Sequence, residues 1–214
     1  AQGIGLEAES VSYKRLASVT NVGNDILLAA ETALVELASL ANRLKEIGIA
    51  DSDTTNSASD TAALNAEATA VSDTLDDIVT SLNFSNIAVL DTSAKTFNIP
   101  KDGDGNTTAI KTTDGITATN VSDATGADST ADTALEEITE SLGFVAGHMR
   151  SMQAISSLSD SIQAIELQAA ARLMDTDLAI ETAKLMKNQL ISKYANSMIS
   201  KANESEKDKL NVII

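Results

Sequence analysis

The chain has 214 residues, 43% of them hydrophobic but only 2% aromatic, with no Trp and one proline, Pro100. That composition suits helices packed closely through small and medium side chains and argues against a ligand pocket walled by aromatic rings. The absence of cysteine rules out a disulfide framework, thiol catalysis and a cysteine-ligated metal, and a formal net charge of −16 argues against nucleic acid as a partner.

Two further exclusions concern membranes and targeting. No run of about 18 apolar residues occurs, so no membrane span is expected. The opening Ala1-Gln2-Gly3-Ile4-Gly5 lacks the basic-then-apolar layout of a cleaved secretory signal. Charge is unevenly spread. Residues 51–140 hold 17 acids against three bases (Lys95, Lys101, Lys111), while Lys184, Lys187, Lys193, Lys201, Lys207 and Lys209 crowd the C-terminal part. The middle of the chain therefore reads as a water-facing exterior.

The first segment carries a heptad seam, Tyr13, Leu16, Thr20, Gly23, Leu27, Ala30, Leu34, Leu37, Ala41 and Leu44, in alternating steps of three and four. It predicts one helix of about 40 residues. The seam is already regular close to residue 1, which is not Met, so the chain is expected to begin within a longer polypeptide. The polar cluster from Asp51 to Asp60 predicts a surface turn. A second helix follows, with Leu64, Ala68, Val71, Leu75, Ile78 and Leu82 on its seam and Asp60 or Thr61 as N-cap.

From Asn83 the period changes to two. Ile87, Val89, Phe97 and Ile99 alternate with polar residues, Pro100 to Asn106 supplies turn residues, and Thr107 to Asn120 alternates again in part. This predicts a small set of β-hairpins. A Ser/Thr/Asp/Gly stretch from Ser122 to Thr133 leads back to helix. From Ala134 to about Lys201 the seam runs through Leu135, Ile138, Leu142, Val145, Met149 and Met152, then Ile155, Leu158, Ile162, Ile165 and Ala169. At Asp175-Thr176-Asp177 acids are placed to cap a new helix start. Beyond it lie Leu178, Leu185, Met186, Leu190, Ile191, Tyr194 and Met198. The fold class predicted is mainly α, a long antiparallel helical bundle with a small β-hairpin region. Each fully buried Leu or Ile contributes roughly 1.5–3 kcal/mol to it.

No catalytic constellation emerges, and the chain is read as a non-enzyme without cofactor or metal. His148 is the single histidine and has no second ligand for a metal site. Asp102, Asp104 and Asn106 resemble the opening of a calcium loop, but Thr113 occupies the twelfth position where such a loop needs Glu, so a β-turn is the better reading. Asp76/Asp77 and Glu136/Glu137 are sequence neighbours and point in different directions on a helix, which makes them solvated faces and not acid/base pairs.

Three motifs carry a family resemblance. Ala171-Arg172-Leu173-Met174-Asp175-Thr176-Asp177-Leu178-Ala179-Ile180-Glu181 resembles the C-terminal motif of the bacterial flagellins, with Arg172, Asp175, Asp177 and Glu181 at its polar positions. Lys187 to Ile191 and Ser197 to Asn203 are similar to the stretch after it, and Leu210-Asn211-Val212-Ile213-Ile214 to the apolar tail. Glu31 to Leu37 and Asn42 to Ile49 resemble the family's N-terminal helix, and Asn83 to Leu90 its helix-to-strand transition. The resemblance implies a structural subunit of the extracellular flagellar filament, polymerising with copies of itself for motility. It further implies an export chaperone and a type III export apparatus as partners, with export that needs no cleaved signal peptide. A hook–filament junction protein of the same superfamily is the alternative, and a flagellin-like surface binding protein a more distant one.

The resemblance also divides the chain. Residues 1–175 would form a bundle domain in the filament shell, with a β insert at about 84–125, and residues 176–214 a filament-core helix. The partner of that helix would be the family's opening segment of about 45 residues, which the resemblance places before this chain and with which a seam already regular near residue 1 agrees. Without the partner, the C-terminal segment is expected to be exposed, and disordered or rearranged. Finally, the resemblance implies a contact surface for Toll-like receptor 5 or for neighbouring subunits at Arg43, Lys45, Ile47 and Glu67. Lys45 replaces the usual Arg there and cannot reproduce its planar fork, and Gly48 replaces the usual Ala.

Overall fold

The computed structural model describes residues 2–117 and 119–213, with side chains described as far as residue 205. The apolar tail Leu210 to Ile214 therefore lies outside the described side chains. Seven elements follow in order: α1 (Gln2–Asp51), α2 (Ala58–Ser81), β1 (Asn83–Phe84), β2 (Ile87–Ala88), β3 (Lys95–Pro100), β4 (Thr107–Thr113) and α3 (Ala127–Ile213). The mainly α architecture with short hairpins matches the expectation from the sequence. Two compact units are present, one of residues 11–163 and one of residues 1–10 with 164–214.

In the larger unit α1 supplies the spine. Every residue of the seam from Leu16 to Leu44 is buried, and Tyr13 is half-buried. The helix reaches 50 residues, longer than expected, since it starts at Gln2, ahead of the seam, and continues past Ile47, which is also buried. α3 runs antiparallel to it: Lys45 pairs with Asp132, Gly23 meets Met152, and Asn21 accepts a hydrogen bond from Ser156. The deepest α3 positions are Ala127, Ala131, Ala134, Ile138, Ser141, Val145, Met152 and Ser159. Ile138, Val145 and Met152 lie on the expected seam, while Ala134 and Ser141 take the deep positions one residue before the expected Leu135 and Leu142. Leu135, Leu142 and Met149 flank the line and are partly buried.

α2 folds back along α1 after a short turn. Its N-cap is Ser57, not Asp60 or Thr61: the Ser57 hydroxyl accepts from Asp60 N, and the Asp60 carboxylate accepts from Ser57 N, which completes a capping box. Asp60 is thus the reciprocal partner of the cap. The buried face of α2 is Ala68, Ser72, Leu75 and Val79, with Leu64, Val71, Ile78 and Leu82 packed at its edges.

Two antiparallel hairpins follow. β1 and β2 are joined through Ser85 and Asn86, both at positive φ (51° and 65°), the geometry that matches the strand twist in a two-residue turn. β3 pairs with β4 across the Pro100–Asn106 turn. Strand ends at Thr113, short of the expected Asn120. Beyond it the chain is held by side chains. Gly115 adopts φ +113°, and a Cβ there would stand 2.6 Å from Thr92 O. Thr117 N and Oγ1 bond the two carboxylate oxygens of Glu137. The buried Ser72 hydroxyl donates to Thr119 O and accepts from Val121 N, and Asn65 Oδ1 accepts from Ala124 N. The segment is thereby pinned along α2 and delivers Ala127 to the start of α3, seven residues before the expected start.

α3 is continuous over 87 residues. No new helix begins at Asp175 to Asp177: Thr176 Oγ1 bonds Arg172 O, four residues back in the same helix. In the smaller unit α1 and α3 are again antiparallel, with Gly3 against Met174 and Ala170.

The bundle predicts opposite outcomes for two glycine substitutions. A Cβ at Gly48 would lie 2.3 Å from the amide nitrogen of Asp128, so Gly48→Ala should destabilise by about 1–3 kcal/mol, the cost of overpacking. Gly143 has open space around its Cβ position, so Gly143→Ala should stabilise by roughly 0.5–1 kcal/mol. Urea denaturation of both variants checks the pair. Ser72→Ala, which strands two backbone groups of the 119–121 segment, should cost about 1–3 kcal/mol by the same assay.

Candidate assembly surfaces

From Ala171 to Ser205 every residue of α3 is exposed. Leu178, Leu185, Met186, Leu190, Ile191, Tyr194, Met198 and Ile199 are all more than half exposed. At 100° per residue, Leu178 and Leu185 fall on one side, and Ile180, Ile191 and Met198 on roughly the opposite side. A helix apolar on two sides is built to be covered on both. The segment is helical, not disordered.

The motif residues lie within this region. Arg172, Asp175 and Asp177 are exposed and make no ion pair among the described residues, and Glu181 makes only a long, exposed contact of 3.4 Å with Lys184. The structure does not gather these four into a cluster. They are spaced along a free surface.

The second set is gathered. Arg43 Nε and Nη2 lie 2.7 and 2.5 Å from Glu67 Oε1, and its Nη1 lies 2.9 Å from Glu46 Oε2. This ties α1 to α2 on the outer face and raises the Arg43 pKa. Lys45 bonds Asp132 on α3 at 2.5 Å. Such exposed pairs are each worth only about 0–1 kcal/mol, so the patch does little to hold the bundle together. Ile47 is 1% exposed and belongs to the core beneath it.

A third surface had no signal in the sequence. An open groove of about 740 Å³ runs where α1, α2 and β1 meet, lined by Leu28, Ala29, Thr32, Ile78, Leu82 and Phe84. Asp25 and Glu36 stand among its lining residues on α1 and form no ion pair among the described residues. Its apolar residues are unremarkable one by one, and only the return of α2 along α1 makes them a groove.

The residues weighed for chemistry serve local structure. Asp102 is occupied by its own turn: Oδ1 accepts from Asp104 N and Asn106 N, and Oδ2 accepts from Asn106 Nδ2. Those bonds hold its pKa below the usual carboxylate value. His148 is half-buried, and desolvation together with the nearby Lys111 charge lowers its pKa. Lys111 is itself held over the Phe144 ring, 4.3 Å from the centroid, and paired with Asp114.

Glu166, in the smaller unit, has a carboxylate oxygen left without a partner among the described residues. Its Oε2 is shielded from solvent without a hydrogen-bond partner. Desolvation, with the Glu9 carboxylate adding to it, raises its pKa. A carboxyl whose folded pKa is raised binds its proton more tightly when folded. Stability is therefore gained as pH falls toward that pKa and lost above it. Glu166→Gln should raise Tm at pH 7 and have a smaller effect near pH 4, a difference readable by thermal unfolding at the two pH values.

The sequence comparisons agree with this architecture. The family model of the bacterial flagellin N-terminal helical region matches residues 2–95. Flagellin FljK of Caulobacter vibrioides is 30% identical over 195 residues, covering 85% of this chain and 69% of that protein. A flagellin of Halalkalibacterium halodurans is 24% identical over 201 residues, covering 85% and 71%. Among solved structures, Bacillus cereus flagellin is similar at 22% identity and a TM-score of 0.45, covering 68% of this chain and 86% of that one.

Proposed function

The chain belongs to the bacterial flagellin family, and we propose that it acts as a non-catalytic filament subunit that polymerises through its terminal helices to build an extracellular tube for motility. The observation that carries this reading is the fully exposed 171–205 segment with apolar side chains on two sides. Burying eight large apolar side chains there, at roughly 1.5–3 kcal/mol each, gives a driving force that the isolated chain leaves unused. The association is heterologous, one surface against a different one on the next copy, and such contacts propagate into open arrays when the rotation does not close.

In this scheme residues 176–214 belong to the filament core and residues 1–175 to the surrounding shell. The core helix requires an apolar partner surface along its length. An aggregation-prone helix of this kind needs cover before assembly, which supports a dedicated export chaperone and delivery through a type III export apparatus without a cleaved signal. The outer patch of Arg43, Lys45 and Glu67 is read as a contact for neighbouring subunits or for Toll-like receptor 5. The junction-protein alternative shares the terminal helices but acts in few copies. Mass spectrometry of filaments sheared from cells that make the protein separates the two: a major component supports the subunit, a trace component the junction protein.

The core assignment has its own test. Leu185→Asp and Ile191→Asp alter side chains 58% and 55% exposed, so each should change the stability of the free chain by no more than about 0.5 kcal/mol while abolishing sedimentable polymer. Loss of the monomer fold, or undiminished polymer, contradicts it.

A further inference from the structure

We propose that Asp104, in the β3–β4 turn, is a site of spontaneous covalent modification, closing onto the amide nitrogen of Gly105 as a succinimide and reopening as isoaspartate. The proposal goes beyond the filament reading and does not depend on it, because it concerns the folded chain alone.

The sequence offers three Asp-Gly pairs, Asp102-Gly103, Asp104-Gly105 and Asp114-Gly115, and no Asn-Gly pair. Aspartate before glycine is the pairing in which ring closure meets least resistance, since glycine has no Cβ to hinder the approach of its nitrogen to the neighbouring carboxyl. The Gly105 nitrogen bonds to Asp104 Cγ, and one carboxyl oxygen leaves as water with the amide proton and the carboxyl proton. Water then adds to either ring carbonyl. Addition at Cγ restores aspartate. Addition at the main-chain carbonyl breaks the original peptide bond, and the backbone thereafter runs through Cβ and Cγ, with the α-carboxylate left as the side group. A water leaves and a water enters, so solvent is the only co-reactant.

By sequence the three pairs are equivalent, and the fold separates them. Both oxygens of Asp102 are engaged: Oδ1 accepts from Asp104 N and Asn106 N, and Oδ2 from Asn106 Nδ2. Its partner Gly103 packs against the Tyr13 ring. Asp114 is paired with Lys111, and the Gly115 nitrogen that would attack it donates instead to Thr113 Oγ1 at 2.9 Å. Gly115 is also wedged on the Thr92 backbone. Asp104 has none of these restraints. It is exposed, and its carboxyl forms no hydrogen bond or ion pair among the described residues. Gly105 N reaches Asp102 O only at 3.5 Å, and the space around the Gly105 Cβ position is open. Electrophile, nucleophile and room for the ring coincide at this pair.

The product changes the turn. Asp102 Oδ1 holds Asn106 N at 2.9 Å, and Lys101 N donates to Asn106 O at 2.8 Å. An additional methylene between residues 104 and 105 lies inside that ring of bonds and displaces Asn106 from its partners. Isomerisation thereby loosens the turn that seats Gly103 on Tyr13 of α1.

The test ages the full chain folded in buffer and, in parallel, unfolded in guanidinium chloride, both in water enriched in oxygen-18. Peptide mapping with electron-transfer fragmentation distinguishes aspartate from isoaspartate at each position and locates the solvent oxygen that hydrolysis of a succinimide adds. In the folded chain, isoaspartate should accumulate at Asp104 about tenfold faster than at Asp102 or Asp114, each of which must first give up a hydrogen bond or ion pair. In guanidinium the three sites should react at similar rates. Asp104→Glu, which would have to close a larger ring, should abolish the folded-state product while leaving circular dichroism unchanged. Amide exchange at Lys101 and Asn106 should be faster in the isomerised chain than in fresh protein. Equal rates at the three sites of the folded chain, a preference for Asp102 or Asp114, no product at Asp104, or product without solvent oxygen overturns the assignment. Unchanged exchange at Lys101 and Asn106 overturns the effect on the turn. None of these outcomes bears on polymerisation.

Discussion

The close antiparallel approach of α1 and α3 is the constraint on which the rest of the structure depends. Two long helices come this near only where side chains are small, and the seam is accordingly lined by Gly23, Ala30, Ala41 and Gly48 on one side and by Ala127, Ala131 and Ala134 on the other. Close approach multiplies dispersion contacts between backbones and excludes water from the larger Leu and Ile side chains between them. It also removes tolerance. At Gly48 the α3 backbone occupies the space a methyl group would need. The start of α3 must therefore be delivered to that spot accurately, and this task falls to the segment after β4. Ser72, Asn65 and Glu137 bind that segment's backbone, and Gly115 supplies its backward bend. The hairpins and the pinned return are thus conditions for the bundle to close.

The same economy explains what is left outside. Within residues 11–163 the bundle covers its central seam, where large side chains such as Leu27, Leu34, Leu37 and Leu44 are fully buried. Beyond Met174, which packs near Gly3, the large apolar side chains of α3 from Leu178 to Ile199 are at least half exposed, yet the sequence keeps presenting Leu, Ile, Met and Tyr. A soluble monomer gains nothing from such a surface, whereas a member of an assembly gains the contacts that hold it there. The charge distribution agrees. Acids crowd residues 51–140, while the segment from Thr182 to Asn203 contains four lysines and no acid.

How much of this was legible in the sequence depends on side-chain size. The α1 seam was readable position by position because large apolar residues recur along it, and nearly all of them are buried. On α3 the same logic picked Ile138, Val145 and Met152, which are buried, and also Leu135, Leu142 and Met149, whereas the positions beside them on the deepest line are Ala131, Ala134 and Ser141. Small residues give a weak hydrophobic signal, and their value appears only when a second helix comes close. The N-cap was misplaced by three residues because a capping box has two polar partners, and the hydroxyl of Ser57, not the carboxylate of Asp60, takes the cap position. Asp175 and Asp177 suggested a break, yet acids cap a helix only where its backbone N–H groups are free, and in the middle of a continuous helix they are already bonded. Arg43 and Glu67 were named together from family resemblance alone, and the return of α2 along α1 joins them physically. The groove had no counterpart in sequence periodicity, since it exists only between elements.

The central claim is that the exposed C-terminal part of α3 is held in reserve for contacts made in the assembly. Hydrogen exchange of residues 171–205, compared between the free chain and its polymer, tests it most directly. An exposed helix without tertiary cover opens readily. The account predicts fast exchange in the free chain and protection rising by at least a hundredfold in the polymer. Strong protection already present in the free chain, or exchange unchanged on polymerisation, would contradict it.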